Sequence, residues 1–214
     1  MEEYQALVQV IGLTMGVAWA SGINLYGTVA TLGLAGASGY VALPEELAVV
    51  QDPLVIVAAV LMYCVEFFAD KIPGVDSGWD ALHTFVRIPA GAMLAAGAVG
   101  DVTPALAVAA GLVGGSVTAA THATKAGSRL LINTSPEPFS NWGASIAEDV
   151  AVFAGLWAAL SHPVLFIVAF VLFLALVVWL APKLFRALGA LGRGIGRLFR
   201  GQRGNSSTAS SVSL

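Results

Sequence analysis

Glu66 and Asp70 stand four residues apart in EFFAD, a spacing that puts two carboxylates on one helical face. Thr121, Lys125, Arg129 and Asn133 recur every four residues, with His122 beside the first of them. Asp76, Asp80, His83 and Arg87 follow one another at intervals of four, three and four, and Glu148 and Asp149 are adjacent. Carboxylates, imidazoles and fixed cations arranged in such stripes can pair as ions, hold an ionic solute or hand on a proton.

The surroundings of these residues restrict the choice. Of 214 residues 57% are hydrophobic and 11% are charged, and the mean hydropathy is +0.84. A soluble domain carries about 25% charged residues, so this is the composition of a membrane protein. At mid-membrane a charged side chain costs about 2.5–3.5 kcal/mol. The stripes must therefore face protein, a water-filled cavity or an interface. Lys71, Arg87 and Arg129 could also snorkel to the headgroups, and Asp76 could cap a helix; Glu66, His122 and Lys125 sit too deep for that.

Six apolar segments position these residues. They run over about 6–37, 53–69, 77–100, 105–133, 142–160 and 163–180. About 20 apolar residues cross a hydrocarbon core of about 30 Å. The first and fourth segments exceed that length, and each has a polar break, at Ser21–Asn24 and Thr121–Thr124. The first is either one tilted crossing or a re-entrant pair. Pro53 and Pro163 suit the first turn of a helix, Asp76 or Ser77 could cap the third segment, and Ser140 the fifth. Cys64, the single cysteine, reads as a small apolar filler.

Six basic residues and no acid lie between Lys183 and Arg203, which assigns the C-terminal side to the cytoplasm by the positive-inside rule. Counting back, the loops near 161, 102 and 45 lie outside and those near 75 and 137 inside. If the first segment is re-entrant, only the N-terminus changes side. Residues 182–200 place Leu184, Phe185, Leu188, Leu191, Ile195, Leu198 and Phe199 opposite Arg186, Arg193, Arg197 and Arg200. This is a basic amphipathic helix suited to anionic lipid headgroups. The polar tail, 201–214, is expected to be disordered.

GLTMG at 12–16 recurs as GLVGG at 111–115, an offset of 99. Each half then has a polar break, a segment with an embedded glutamate (Glu66, Glu148) and one further crossing. The expected architecture is all-α: a polytopic bundle over 1–181, with inverted three-helix repeats over about 6–100 and 105–181. Opposite charges balance in it, Glu66, Asp70, Glu148 and Asp149 against Lys71, Arg87, Lys125 and Arg129. No histidine pair has metal-ligand spacing, and the nearby cations would repel a metal, so neither a metal nor another cofactor is expected. Nucleotide-binding and hydrolase signatures are absent.

EFFADKIPGVD (66–76), HTFVRIPAGA (83–92), KAGSRLLINTSPEPFSN (125–141) and the ED pair at 148–149 resemble a bacterial integral-membrane family catalogued as domain of unknown function 4126. The resemblance covers about residues 8–180 and implies a small multi-pass membrane protein. It implies no activity.

The function expected is that of a small transporter or channel of the bacterial inner membrane that binds a small polar or anionic solute. Glu66 and Glu148 would be proton- or cation-linked. Lys125 and Arg129 would hold an anionic group or counter the acids, and Asn24 and His122 would line the passage. Asp70, Asp80, His83, Arg87 and Asp149 complete the expected binding set. No nucleic-acid partner is expected, and the oligomeric state, homo-oligomer included, is left open. Two alternatives stand: an enzyme acting on a lipid phosphate clamped by Lys125, Arg129 and Arg87, or an assembly protein whose charges only fix helix register.

Overall fold

The computed structural model describes residues 1–134 and 138–208. Among them are seven α-helices and no strand: α1 (Glu2–Ile23), α2 (Leu25–Ala37), α3 (Pro53–Ala69), α4 (Val75–Ala98), α5 (Pro104–Ile132), α6 (Pro138–Ser161) and α7 (Pro163–Thr208). A short 3-10 helix, Glu45–Gln51, leads into α3 at a bend of 64°. Helices α1, α5, α6 and α7 are each long and apolar enough to cross a membrane, and the bent pair ending in α3 supplies a fifth candidate. The 24 residues of α4 have the length of a span, but Asp76, Asp80 and Arg87 make it too polar to count among these candidates.

Local chemistry explains the helix boundaries. Pro53, Pro104 and Pro163 each open a helix, where the missing N–H costs nothing. Asp52 caps α3 by accepting from Leu54 N at 2.8 Å. Asp76 accepts from Gly74 N at 2.8 Å and Ser77 N at 2.6 Å, so it satisfies the start of α4 from inside the first turn. Gly74, at φ +86°, makes the preceding turn. Helix α6 begins at Pro138, which places Ser140 inside its first turn and not at the cap.

The long first segment is a helical hairpin. Asn24 is extended (φ −146°, ψ 97°), and its Oδ1 accepts from Gly27 N at 2.8 Å to start α2. Helix α2 then returns antiparallel to α3, with Gly27 against Tyr63 and Gly33 against Val50 and Ile56. The chain after α2, Tyr40–Pro44, shares a pocket with Ala6, Gln9, Val10 and Leu13 at the start of α1. Of the two sequence alternatives, a helix pair that reverses direction is therefore the one formed.

Two ends of the bundle follow. Tyr40 hydrogen-bonds Ser161 at 3.1 Å, and Gly97 and Gly100 pack on the Pro44–Leu47 stretch. The loops near 45, 102 and 161 thus share one end. Asn133 bonds Asp76, and Arg129 reaches the Asp70 and Asn141 carbonyls, so the loops near 75 and 137 share the other. The pairing of loops matches the sequence expectation, with the N-terminus moved to the 45/102/161 end.

Helices α3 and α6 run in opposite directions. Helices α1 and α5, which carry the glycine repeat, run side by side in the same direction. Thr118 Oγ1 donates to Ala18 O at 2.8 Å, and a Cβ on Gly22 would lie 2.7 Å from Thr118 O. The reversal at Asn24 adds one turn to the first half, and this restores α5 to the direction of α1. The glycines do serve close approach, Gly12 against Pro163 and Ala159, Gly111 against Ala92 and Ala96.

Burial is inside-out relative to a soluble protein. Leu54, Leu82, Phe85, Met93, Leu112 and Val178 face outward, whereas Glu66, Asp80, Arg87 and Arg129 are at most 1% exposed. A lipid solvent rewards that distribution. Helix α1 is the central element, with 56% of its apolar window buried against 11% for α7.

The expected boundary at 181–182 falls within α7. The backbone of α7 continues as helix through Pro182 to Thr208, so the separate amphipathic helix and the start of the expected disordered tail are continuous with the last crossing. Phe185, Arg186 and Arg193 are exposed; the other side chains of the expected amphipathic faces, Leu184, Leu188, Leu191, Ile195, Arg197, Leu198, Phe199 and Arg200, lie outside the described residues, as do residues 209–214.

The hairpin has a direct topological consequence. Single cysteines at Glu3 and Lys183, in a Cys64→Ala background, are expected to react with an impermeant maleimide from opposite sides of sealed vesicles. Labelling of both from one side would mean that the first segment crosses once.

Candidate functional site

Four helices and the hairpin tip converge near the 75/137 end. Helix α3 brings Glu66 and its C-cap Asp70; α4 brings Asp80, His83 and Arg87; α5 brings His122, Lys125 and Arg129; α6 brings Glu148 and Asp149. The hairpin supplies Asn24 and the carbonyl of Ile23, freed because the helix ends there. Lys125 lies 21 residues beyond Pro104, so the cluster sits about 31 Å along α5 from its start.

Lys125 is the centre. Its Nζ is 2.8 Å from Asp70 Oδ2, 3.0 Å from Ile23 O, 3.4 Å from Glu66 Oε1, and 3.7 Å from both Asp80 Oδ1 and Glu148 Oε2. Arg87 pairs with Glu66 and lies 3.3 Å from Asp80 Oδ1. Arg87 Nη1 also donates to Ile23 O at 3.0 Å, so one carbonyl receives two cations. Arg129 grips Glu148 with two parallel bonds, Nε to Oε1 at 3.1 Å and Nη2 to Oε2 at 2.6 Å. This bidentate fork is the strongest ion-pair geometry available to arginine. Its Nη1 reaches Asp70 O and Asn141 O, each at 3.1 Å.

His122 joins the network through both ring nitrogens. Arg87 Nη1 lies 3.4 Å from its Nδ1, so Nδ1 accepts and the ring proton is on Nε2, 3.1 Å from Asp80 O and 2.8 Å from Thr84 Oγ1. The imidazole is neutral in this arrangement. His83 stands apart from the cations. It bonds Trp79 O at 2.9 Å and Tyr26 Oη at 3.1 Å, and its ring stacks on Trp79 at 4.0 Å.

The pairing differs from the expected balance of four acids and four bases. Lys71 does not enter the cluster. Its ammonium donates to Phe67 O at 3.0 Å and Ser145 Oγ at 3.3 Å and lies over the Phe67 ring. Partial burial there lowers its pKa from the ordinary lysine value. Asp149 accepts from Asn24 Nδ2 at 3.2 Å, which makes Asn24 a latch between the hairpin tip and α6. Asp80 takes the central place expected of Asp149.

Four carboxylates, Glu66, Asp70, Asp80 and Glu148, therefore share three cations, Arg87, Lys125 and Arg129. Glu66 Oε2, Asp70 Oδ1 and Asp80 Oδ2 are buried and have no hydrogen-bond partner among the described residues. Among those residues no group of three or more His, Cys, Asp or Glu is disposed to hold a metal ion.

The sequence pattern missed the Ile23 carbonyl, which carries no side-chain signal. It also missed the partnership of Asn141 with Arg129, although Asn141, Ser145 and Glu148 follow helical spacing. Asp76, read as a helix cap and the first member of one stripe, and Asn133, the end of another, form a pair of bonds at 2.8 and 2.9 Å that closes the lower edge.

An all-helical, lipid-type exterior around a buried ion-pair network defines the class: a helical bundle of membrane-protein type. The chain belongs to the family described as a domain of unknown function, DUF4126, whose match spans residues 11–183 and so includes every residue of the cluster. No curated protein and no solved structure matches it.

Removal of Arg87 leaves Glu66 and Asp80 with Lys125, at 3.4 and 3.7 Å, as their remaining cation. Arg87→Met is expected to destabilise the purified protein by about 3–5 kcal/mol, measured by denaturant unfolding in detergent micelles. A loss below about 1 kcal/mol would show that the pairs contribute little.

Proposed function

We propose that this is a small proton-linked membrane transporter for a polar or ionic solute, with the buried cluster as its coupling site. The observation that carries this reading is the excess of one carboxylate over the cations in a region almost without solvent contact. A buried net charge is costly, and one proton on the cluster removes it. A network that served only to fix helix register would gain nothing from an unbalanced charge. Three carboxylates each offering an unpartnered oxygen supply a place for that proton and a way for it to relocate.

Glu66 is assigned the proton-linked role. Around it stand Arg87 and Asp80 of α4, Lys125 of α5, Asp70 at the end of its own helix and, at the periphery, Tyr26 of α2. The three buried cations already donate to protein acceptors, so an anionic lipid phosphate would have to displace carboxylates; the lipid-phosphate enzyme gains no support from this geometry.

The membrane arrangement that goes with this function has α3 to α7 crossing and the α1–α2 hairpin re-entering from the 45/102/161 end, with the C-terminus cytoplasmic in a bacterial inner membrane. All four basic residues before Lys183 lie toward the 75/137 end, which supports that orientation. The basic stretch after Pro182 would meet anionic headgroups.

Glu66→Gln brings the cluster to three acids and three bases. The variant is expected to fold as well as the wild type and to lose proton coupling. Wild-type and variant proteoliposomes, loaded with a pH-sensitive dye and challenged with a panel of small ions and polar solutes, test this. Proton movement in the wild type reduced about tenfold or more in the variant is the expected result; silence of the wild type toward the whole panel would remove the transport function.

A further inference from the structure

We propose that the groove between α2, α3 and α4 holds one acyl chain of a phospholipid with a primary ammonium headgroup, phosphatidylethanolamine, and that this headgroup meets the acids of residues 45–52. The lipid belongs to the leaflet at the 45/102/161 end, and the inference does not rest on the transport reading.

The groove follows from how the helices pair. Helix α3 is drawn onto α2, where a Cβ on Gly33 would lie 2.8 Å from Ile56. Helix α4 is drawn onto α5, where Gly91 stands against the Thr118 side chain. The face between the two pairs stays open, with a volume of about 380 Å³. Tyr26 of α2, Ala58 and Met62 of α3, and Ala90 and Met93 of α4 line it. The 3-10 helix crosses its upper end. There Leu47 lies 2.8 Å from where a Cβ on Gly97 would stand, and Val50 packs on Gly33 and lines the groove.

Every lining side chain but one is apolar. The exception is Tyr26, whose hydroxyl is engaged with His83 Nε2 at 3.1 Å. A satisfied hydroxyl calls for no polar ligand, so the part that enters is hydrocarbon. From Pro53 to Met62 is nine residues of helix, about 14 Å, or about half of a 30 Å hydrocarbon core. The groove therefore has the depth of one leaflet, which is the reach of an acyl chain. A helix of a second protein would pack over both leaflets.

Hydrocarbon surrounds this face in any bilayer, so an apolar lining by itself selects no lipid. The rim does. Glu45, Glu46 and Asp52 are exposed there. No lysine or arginine occurs in 1–70 or 88–124, the stretches that supply the groove and its rim. Uncompensated negative charge repels the anionic phosphatidylglycerol and attracts an ammonium. A primary ammonium also has three N–H donors for carboxylates, and choline has none.

The test is lipid selectivity. The full-length protein, stripped of lipid in detergent, is offered dioleoylphosphatidylethanolamine or dioleoylphosphatidylglycerol at equal concentration, and bound lipid is counted by native mass spectrometry. The wild type is expected to retain the ethanolamine lipid about fivefold over the glycerol lipid, the upper range for exposed ion pairs. Ala58→Trp fills the groove from an exposed position and is expected to abolish the preference. Glu45→Gln/Glu46→Gln is expected to cut it to about twofold or less. Equal retention of the two lipids by the wild type, or an undiminished preference in Ala58→Trp, overturns the proposal. Should Ala58→Trp be recovered only as aggregate, photolysis of the wild type with a diazirine-acyl phosphatidylethanolamine decides. Adducts concentrated on Met62 or Met93 over the exposed Val178 of α7 support the site, and equal labelling overturns it. A wild-type dimer in the same spectra that is lost in Ala58→Trp would assign the groove to a second copy of the chain and overturn the lipid.

Discussion

Charge cannot face hydrocarbon, and in this chain that constraint organises the rest. Each of α3, α4, α5 and α6 carries charged residues, and in α4 and α5 they recur at helical spacing. Turning those residues away from lipid turns all four helices toward a common interior. The resulting contacts are ionic and specific, so they also fix the rotation of each helix about its axis. Glycine and alanine contacts among α1, α4 and α5 then set how closely the backbones approach.

The hairpin at Asn24 completes this interior. A continuous helix would keep the Ile23 carbonyl in its own ladder. The break releases it, and two cations take it up at 3.0 Å each. Asn24 has three roles in doing so: its backbone ends α1, its Oδ1 caps α2, and its Nδ2 ties the tip to Asp149. One residue thereby couples a backbone irregularity to the charge network. Irregular backbone at membrane depth is tolerated where it is enclosed by protein, and here it is.

The network has a graded character. At the lower edge Asp76 is satisfied by two backbone N–H groups and Asn133, a closed arrangement that fits a structural role. Arg129 and Glu148 form a rigid fork. Around Lys125 two contacts are close, to Asp70 and the Ile23 carbonyl, and three carboxylate oxygens stand farther off at 3.4–3.7 Å.

The sequence by itself determined the class, the helices and nearly all the charged members of the site. Hydropathy is a sum over residues, and helical spacing is a local property, so both are readable without coordinates. The family motifs were legible for the same reason, and the match over residues 11–183 bears out the resemblance. Only tertiary structure decided which charges meet. It seated Asp80 at the centre and left Lys71 on Phe67 and Ser145, because pairing depends on the rotation and depth of each helix relative to its neighbours. It also decided between a crossing and a hairpin at Asn24, since a polar break permits a reversal but only packing of α2 on α3 requires one. That single reversal ran α1 and α5 in the same direction and delivered the Ile23 carbonyl, a backbone atom with no signature in the sequence, to the cations.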